Sequence, residues 1–271
     1  MSDGTGISIL IRTSNSEKPL RVLLSRLQTG LQDEIILVDS GSKDGTVALA
    51  EESGARVIRN DGPFNYSRTL NLGFQAAGNE RVLVLSVHCV PVNGDFLEGY
   101  REALGRLASG WAVVYGMQVF SRKQSDQVDK NLKIHTGPEV LTQFPGAGNA
   151  NALYSKRAWD LHPFNENLPT GEDREWLNWA ARAGLVCAQA PEACVYYRHP
   201  GGPIYRFRKA YNETMTGVDK GTPLSLWQLT IGMAHASRHL LWEEFVPRSW
   251  IGQTAHLLGT FVASRKRLPS P

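Results

Sequence analysis

No apolar run in this chain approaches the ~18 residues that a membrane-spanning helix needs, which argues against a helical span. Cysteine is scarce: Cys89, Cys187 and Cys194 are three, an odd number in no metal-ligand spacing. That speaks against a disulfide framework or a structural zinc site, and for reduced thiols in a cytoplasmic protein. Net charge is low as well, at +3. Such a value is too mild to point to nucleic acid, though its sign suits a small anionic ligand. There is no internal repeat and no low-complexity tract. Met1 to Gly6 is short and polar, with no apolar segment of a secretory signal. What is present is the composition of a globular protein: 42% hydrophobic and 20% charged residues over 271 positions can bury a full core.

One stretch organises the rest. Ile35 to Val38 is an unbroken apolar run, the pattern of a strand buried on both faces. It stops at Asp39, and Ser40-Gly41-Ser42-Lys43-Asp44-Gly45-Thr46 follows. Small polar residues with two glycines form a tight strand-to-helix turn, with the helix N-cap expected at Ser42 or Asp44. Ile7 to Arg12 reads as the first strand, Leu20, Leu23, Leu24 and Leu27 as one helical face. A helix from about Thr46 to Ser53 and a strand at Arg56 to Ile58 come next. Then follow a helix over Tyr66 to Ala77, a strand over Arg81 to Val87 and a helical face at Phe96, Leu97, Tyr100, Leu104 and Leu107. This βαβαβαβα order predicts a mostly parallel sheet with helices on both faces.

Further along, Ala112 to Gly116 reads as a strand, and Ser121 to Pro145 as a long loop near the active site. Asn149 to Tyr154 and Ser155 to Leu161 resume order. Glu172 to Ala183 is a helix with Trp176, Trp179 and Ala180 facing inward. Val186 to Ala190 and Cys194 to His199 are expected as two strands joined through Pro191. Beyond Pro223 the chain turns helical, with Trp227, Trp242 and Trp250 packing helices that end at Arg265-Lys266-Arg267. The expected division is residues 1–221 as one α/β domain and 222–271 as a helical extension. That extension is expected to pack or self-associate, with peripheral contact to an anionic membrane surface as the second reading. Gly146-Ala147-Gly148-Asn149 lacks the strand-to-helix context of a dinucleotide fingerprint and is set aside.

Polar groups gather at strand ends or just after them: Thr13 to Glu17, Asp39 to Asp44, Ser86 to Pro91 and Gly171 to Arg174. Several on one sheet edge define a crevice, where open α/β sheets bind ligands. Together with Tyr66-Ser67-Arg68-Thr69-Leu70-Asn71-Leu72-Gly73, these segments resemble family-2 inverting glycosyltransferases of the GT-A fold, bacterial and rhamnosyltransferase-like in flavour. The resemblance covers about the first four-fifths of the chain and leaves the C-terminal helices outside.

It implies a single GT-A domain that moves a sugar from a nucleotide-diphosphate donor to a glycan or lipid-linked hydroxyl, with inversion, in polysaccharide biosynthesis. The location implied is the cytoplasm, including the inner face of the membrane. Thr13, Asn15, Glu17, Asp39, Ser42, Arg68 and Asn71 would line the nucleotide side, with Asp39 bonding the base. Asp173 would be the general base, and Glu172 would position the acceptor or Asp173. Without the resemblance, the same pair reads as acids favoured by a helix N-terminus.

The metal site is where this sequence departs. The family usually carries an Asp-x-Asp-like motif for a divalent ion, Mn or Mg, after the strand at Arg81 to Leu85. Here Ser86-Val87-His88-Cys89 stands there with no carboxylate. His88 and His199 are the remaining candidate ligands, nitrogen donors where a hard ion takes oxygen. A weakened or absent metal site is therefore expected, with Arg206, Arg208 and Lys209 offsetting the leaving group's charge. Two other functions compete. A nucleotidyltransferase would carry a glycine-rich basic loop after the first strand, and Arg12-Thr13-Ser14-Asn15 is not one. A non-catalytic nucleotide-sugar-binding scaffold fits the missing carboxylates but not the retained Glu172-Asp173.

Overall fold

The computed structural model describes residues 6–107, 109–137, 148–197 and Leu258. Among the described residues nine strands form one sheet, in the order β3-β2-β1-β4-β8-β6-β9-β5, with β7 also paired to β9. In chain order these strands are β1 (Ile7–Thr13), β2 (Glu34–Asp39), β3 (Arg56–Arg59), β4 (Arg81–Leu85) and β5 (Cys89–Pro91). They continue with β6 (Trp111–Val119), β7 (Lys133–His135), β8 (Asn151–Ser155) and β9 (Val186–Tyr197). The helices are α1 (Glu17–Arg26), α2 (Thr46–Glu52), α3 (Tyr66–Ala76), α4 (Phe96–Gly105), α5 (Arg122–Asp126), α6 (Lys156–Leu161) and α7 (Glu172–Arg182).

Strands β1, β2, β3 and β4 run parallel; the apolar runs of β1, β2 and β4 suit strands covered on both faces, while β3, Arg-Val-Ile-Arg, is a partly exposed edge. β8 then inserts antiparallel between β4 and β6, which restores the first direction to β6 and its parallel neighbour β9. Because β8 runs backwards, its first residue, Asn151, pairs with Leu85, the last of β4. The segment leading into β8 thus reaches the sheet edge where β1, β2 and β4 end.

Side-chain alternation divides the strands between two cores. Leu10, Ile36, Val38, Val82 and Val84 pack with Leu70 and Phe74 of α3, Trp159 of α6 and Trp176 and Leu177 of α7. Ile9, Ile11, Leu37, Leu83 and Leu85 face the other way, onto Leu20 and Leu23 of α1, Ala50 of α2 and Phe96, Leu97 and Tyr100 of α4. The first core is rich in rings: Phe74 stacks on Trp159 at 5.1 Å, and Tyr154 meets Trp176 edge-on at 5.0 Å. Such pairs contribute about 0.5–1.5 kcal/mol each beyond the area they bury.

Two expectations need correction. The stretch from Ser121 is not one loop: its described part, to residue 137, holds α5 and β7, and β7 pairs with Gln189, Ala188 and Cys187. Three residues that alternate too briefly to show a period still form a strand when a partner edge is beside them. The two strands expected around Pro191 are one, β9, because β6 pairs with both halves and its register shifts between Gly116 and Met117 to pass over Pro191 to Ala193. Proline has no N–H to give the ladder, so the pairing lapses there instead of the strand ending.

The chain divides into two compact units, Met1–Glu166 with Glu172–Arg198, and Asn167–Gly171 with His199–Pro271. The sheet belongs to the first. The boundary expected at 221–222, and the helices expected beyond it, lie outside the described residues apart from Leu258, which is helical. Among the described residues no helix is long and apolar enough to cross a membrane.

Gly73 brings α3 close to the sheet: a Cβ there would stand 2.1 Å from Leu10 Cδ1, in a fully buried spot. Gly73→Ala is expected to destabilise the fold by about 1–3 kcal/mol, the usual cost of overpacking. Denaturant unfolding measures it, and an unchanged midpoint would show that α3 can lift off β1 freely.

Candidate active site

The ends of β1 and β2 are laced into one unit. Asp39 is 4% exposed, and its carboxylate is surrounded by donors. Oδ1 accepts from the hydroxyls of Thr13 at 3.3 Å and Ser42 at 2.5 Å, Oδ2 from the N–H groups of Gly41 at 3.1 Å and Ser42 at 2.9 Å. A buried carboxylate is tolerable only with such compensation. Asn15 takes a left-handed conformation, φ 47°, which its short polar side chain permits. There its N–H donates to Ser42 Oγ at 2.8 Å and its Oδ1 accepts from Lys43 N at 2.9 Å. Glu17 accepts from the N–H of Gly45 at 3.3 Å and pairs with Arg21. The N-cap of α2 is Gly45, with no side-chain cap bond, and not Ser42 or Asp44 as expected. Asp44 stands just before it, where its Oδ1 accepts from the N–H of Thr46 at 3.1 Å and the Thr46 hydroxyl holds its carboxyl below the ordinary range. So Thr13, Asn15, Glu17, Asp39 and Ser42 do come together, largely by bonding to each other's loops.

Arg68 and Asn71 sit in α3 and bind the segment that leads toward α7. Asn71 donates to Phe164 O at 2.9 Å and Glu166 Oε1 at 3.0 Å, and accepts from Trp159 Nε1 at 3.0 Å and Phe164 N at 3.1 Å. Arg68 Nε reaches Glu166 Oε2 at 3.1 Å. The Asn71 amide, helped by Arg68, holds the Glu166 carboxyl below its ordinary range. In this arrangement both residues fix residues 164–166 in place.

Glu172 and Asp173 open α7, where the helix dipole favours acids. Glu172 is buried; its Oε1 accepts from Asn149 Nδ2 at 3.1 Å and lies 3.6 Å from Arg12 Nη1. Asp173 Oδ2 accepts from the N–H of Asn149 at 3.3 Å, and its Oδ1 from Arg174 N at 2.8 Å. Asn149 lies two residues before β8, so the carboxylate pair and the Asp39 turn share one sheet edge. Sequence reading missed Arg12, Gly148 and Asn149. A cation inside the apolar run Ile7 to Thr13 was a usable signal for the first; the other two lay in the glycine-containing stretch that was set aside, and their partners are 23 or more residues away.

His88 occupies the turn between β4 and β5, and burial pushes its imidazole below the ordinary value. Burial pushes the Cys89 thiol up, and its Sγ donates to Ala150 O. Among the described residues no three His, Cys, Asp or Glu side chains gather into a group able to hold a metal ion. A neutral imidazole and a protonated thiol do not fit the oxygen shell of Mg or Mn. His199, Arg206, Arg208 and Lys209 lie outside the described residues.

A parallel sheet with one reversed inner strand, and polar groups from β1, β2, β4 and α7 on one edge, has the architecture of the GT-A fold. Residues 8–161, more than half of the chain, match the model for Glycosyl transferase family 2. The chain belongs to that family. Among solved structures it resembles mannosyltransferase PcManGT of Pyrobaculum calidifontis, in complex with GDP-Man and Mn2+, with a TM-score of 0.66 at 14% identity over 96% of this chain and 86% of that one. Glucosyl-3-phosphoglycerate synthase of Mycobacterium tuberculosis, with Mn2+, uridine diphosphate and glucosyl-3-phosphoglycerate, gives 0.56 at 17% identity, covering 81% of this chain and 83% of that one. Staphylococcus aureus TarS 1-349 gives 0.56 at 16%, covering 96% and 80%. A 53-residue stretch is 40% identical to part of a TPR repeat-containing protein of Synechococcus elongatus; it is 20% of this chain and only 13% of that protein.

The His88 shift has a testable sign. With the folded value lowered, the unfolded chain binds more protons between that value and the ~6.5 of a free imidazole, so acidification through that window costs stability. An NMR titration of the His88 ring is expected to give a midpoint below ~6.5. A midpoint at or above it would mean that a nearby acid outweighs burial.

Proposed function

We propose that the chain transfers a glycosyl group from a nucleotide-diphosphate sugar to a hydroxyl of a glycan or lipid-linked acceptor, with inversion. The observation that carries this is Asp173, a carboxylate at a helix N-terminus, standing on the same sheet edge as the Asp39 turn. Asp173 takes the acceptor hydroxyl's proton as that oxygen bonds to the anomeric carbon. The carbon–oxygen bond to the diphosphate breaks, and its electron pair leaves with the phosphate. No covalent enzyme intermediate is needed.

The nucleotide end sits over the turns after β1 and β2. Since Asp39 already accepts four hydrogen bonds, receiving one from a base means releasing Thr13 or Ser42; Asn15, Glu17 and Ser42 act by shaping the turn. Charge on the departing diphosphate is offset by fixed cations, Arg206 and Arg208, with neutral His88 as a hydrogen-bond partner. A divalent ion has no oxygen-rich donor set among the described residues, and no step is assigned to one.

Asp173→Asn keeps shape and polarity but removes the base, so kcat is expected to fall at least ~100-fold with donor affinity retained. Near-normal turnover would move the base elsewhere. Nucleotide-sugar binding without any turnover by the unsubstituted protein would instead mark a scaffold. Turnover is also expected to survive a strong chelator, and Arg206→Ala or Arg208→Ala to slow it more than His88→Ala. Complete loss in chelator, restored by added Mn, would overturn the fixed-cation reading.

A further inference from the structure

The two carboxylates that open α7 have different surroundings. Glu172 is 5% exposed, and a carboxylate so far from water needs both a countercharge and hydrogen bonds. Arg12 supplies the charge, with Nη1 3.6 Å from Glu172 Oε1. Arg12 is itself held: the same Nη1 donates to Tyr66 O at 3.2 Å, and the guanidinium lies 5.3 Å from the centre of the Tyr66 ring. Asn149 supplies the hydrogen bond, and its orientation is forced. An ionised carboxylate only accepts, so Nδ2 must face Glu172. That leaves Oδ1 to accept from the Tyr154 hydroxyl at 2.6 Å, which burial keeps protonated and donating.

With its side chain clamped at both ends, Asn149 has little freedom in its backbone, and its N–H meets Asp173 Oδ2. Gly148 before it completes the seat, since a Cβ there would stand 3.0 Å from that same oxygen. The path therefore runs from Arg12 through Glu172 and Asn149 to Asp173.

We infer that Arg12 is a positioning residue for the transfer: it pairs with Glu172 and holds it in place, Glu172 holds Asn149, and Asn149 aims the Asp173 carboxylate. This rests on Asp173 being the base. Glu172 is thereby a support for its neighbour and does not touch the acceptor. The last two residues of β1 serve both halves of the site, because Thr13 bonds Asp39 while Arg12 pairs with Glu172.

The test uses the full chain with UDP-glucose and GDP-mannose in turn, reading nucleotide release with water in place of the acceptor. Arg12→Met is expected to lower kcat at least ~10-fold with the donor KM unchanged, because a misaimed catalytic group costs rate and not binding. Arg12→Lys should recover part of that loss. Adding Arg12→Met to Glu172→Gln should cost nothing more, since a neutral amide needs no countercharge. Gly148→Ala, which crowds Asp173 without touching Arg12, should reproduce the kcat-only loss and keeps the idea testable if Arg12→Met fails to fold. Normal kcat in Arg12→Met, a raised KM in Arg12→Lys, or full additivity in the double variant would overturn the clamp. Failure of the base reading looks different: Asp173→Asn would then turn over normally while Arg12→Met does not. No nucleotide release by the unsubstituted protein from either donor would overturn the transferase reading and the clamp with it.

Discussion

A carboxylate cannot leave water alone, and two of them at this sheet edge have done so. Asp39 and Glu172 are each almost fully buried, and each is paid for locally. Asp39 is surrounded by two hydroxyls and two backbone N–H groups, Glu172 by an amide and a guanidinium. Unpaired, either would cost several kcal/mol or take up a proton. The loops around them are consequently not free to vary. Residues 13–17 must meet 39–46, and residues 148–149 must meet 172–173, for the charges to be tolerated.

That constraint explains why a site built on loops can be well ordered. The strands beneath are buried on both faces and fix where each loop begins; the hydrogen bonds between loops fix where each goes. The segment at 164–166 follows the same logic, tied to α3 by Asn65, Ser67, Arg68 and Asn71. Preorganisation of this kind fixes where the polar groups on a sheet edge point before any ligand arrives.

The family's architecture is present, and the turn from Ser86 to Cys89 carries no carboxylate. In that turn burial pushes the His88 imidazole below its ordinary value and the Cys89 thiol above it. The turn offers no carboxylate oxygen to a hard ion. Val87 and Cys89 of this turn pack inward with the second core, while His88 is only partly buried.

The order of strands and helices along the first half was legible because unbroken apolar runs and helical spacing are local signals. The Asp39 turn and the Glu172-Asp173 pair were legible for the same reason: small residues after a buried strand, and acids at a helix start, are preferences of a few adjacent residues. The neighbours of those residues were not. β8 enters the sheet backwards between β4 and β6, and nothing in Ala150 to Tyr154 states its direction or its partners. That one insertion carries Gly148 and Asn149 to the carboxylate pair and turns a stretch without a motif into part of the site. Arg12 meets Glu172 only because the end of β1 and the start of α7 come together on the same edge. Local periodicity sets which elements form; long-range pairing and the need to compensate buried charge set which side chains meet, and that was decided by the tertiary structure alone.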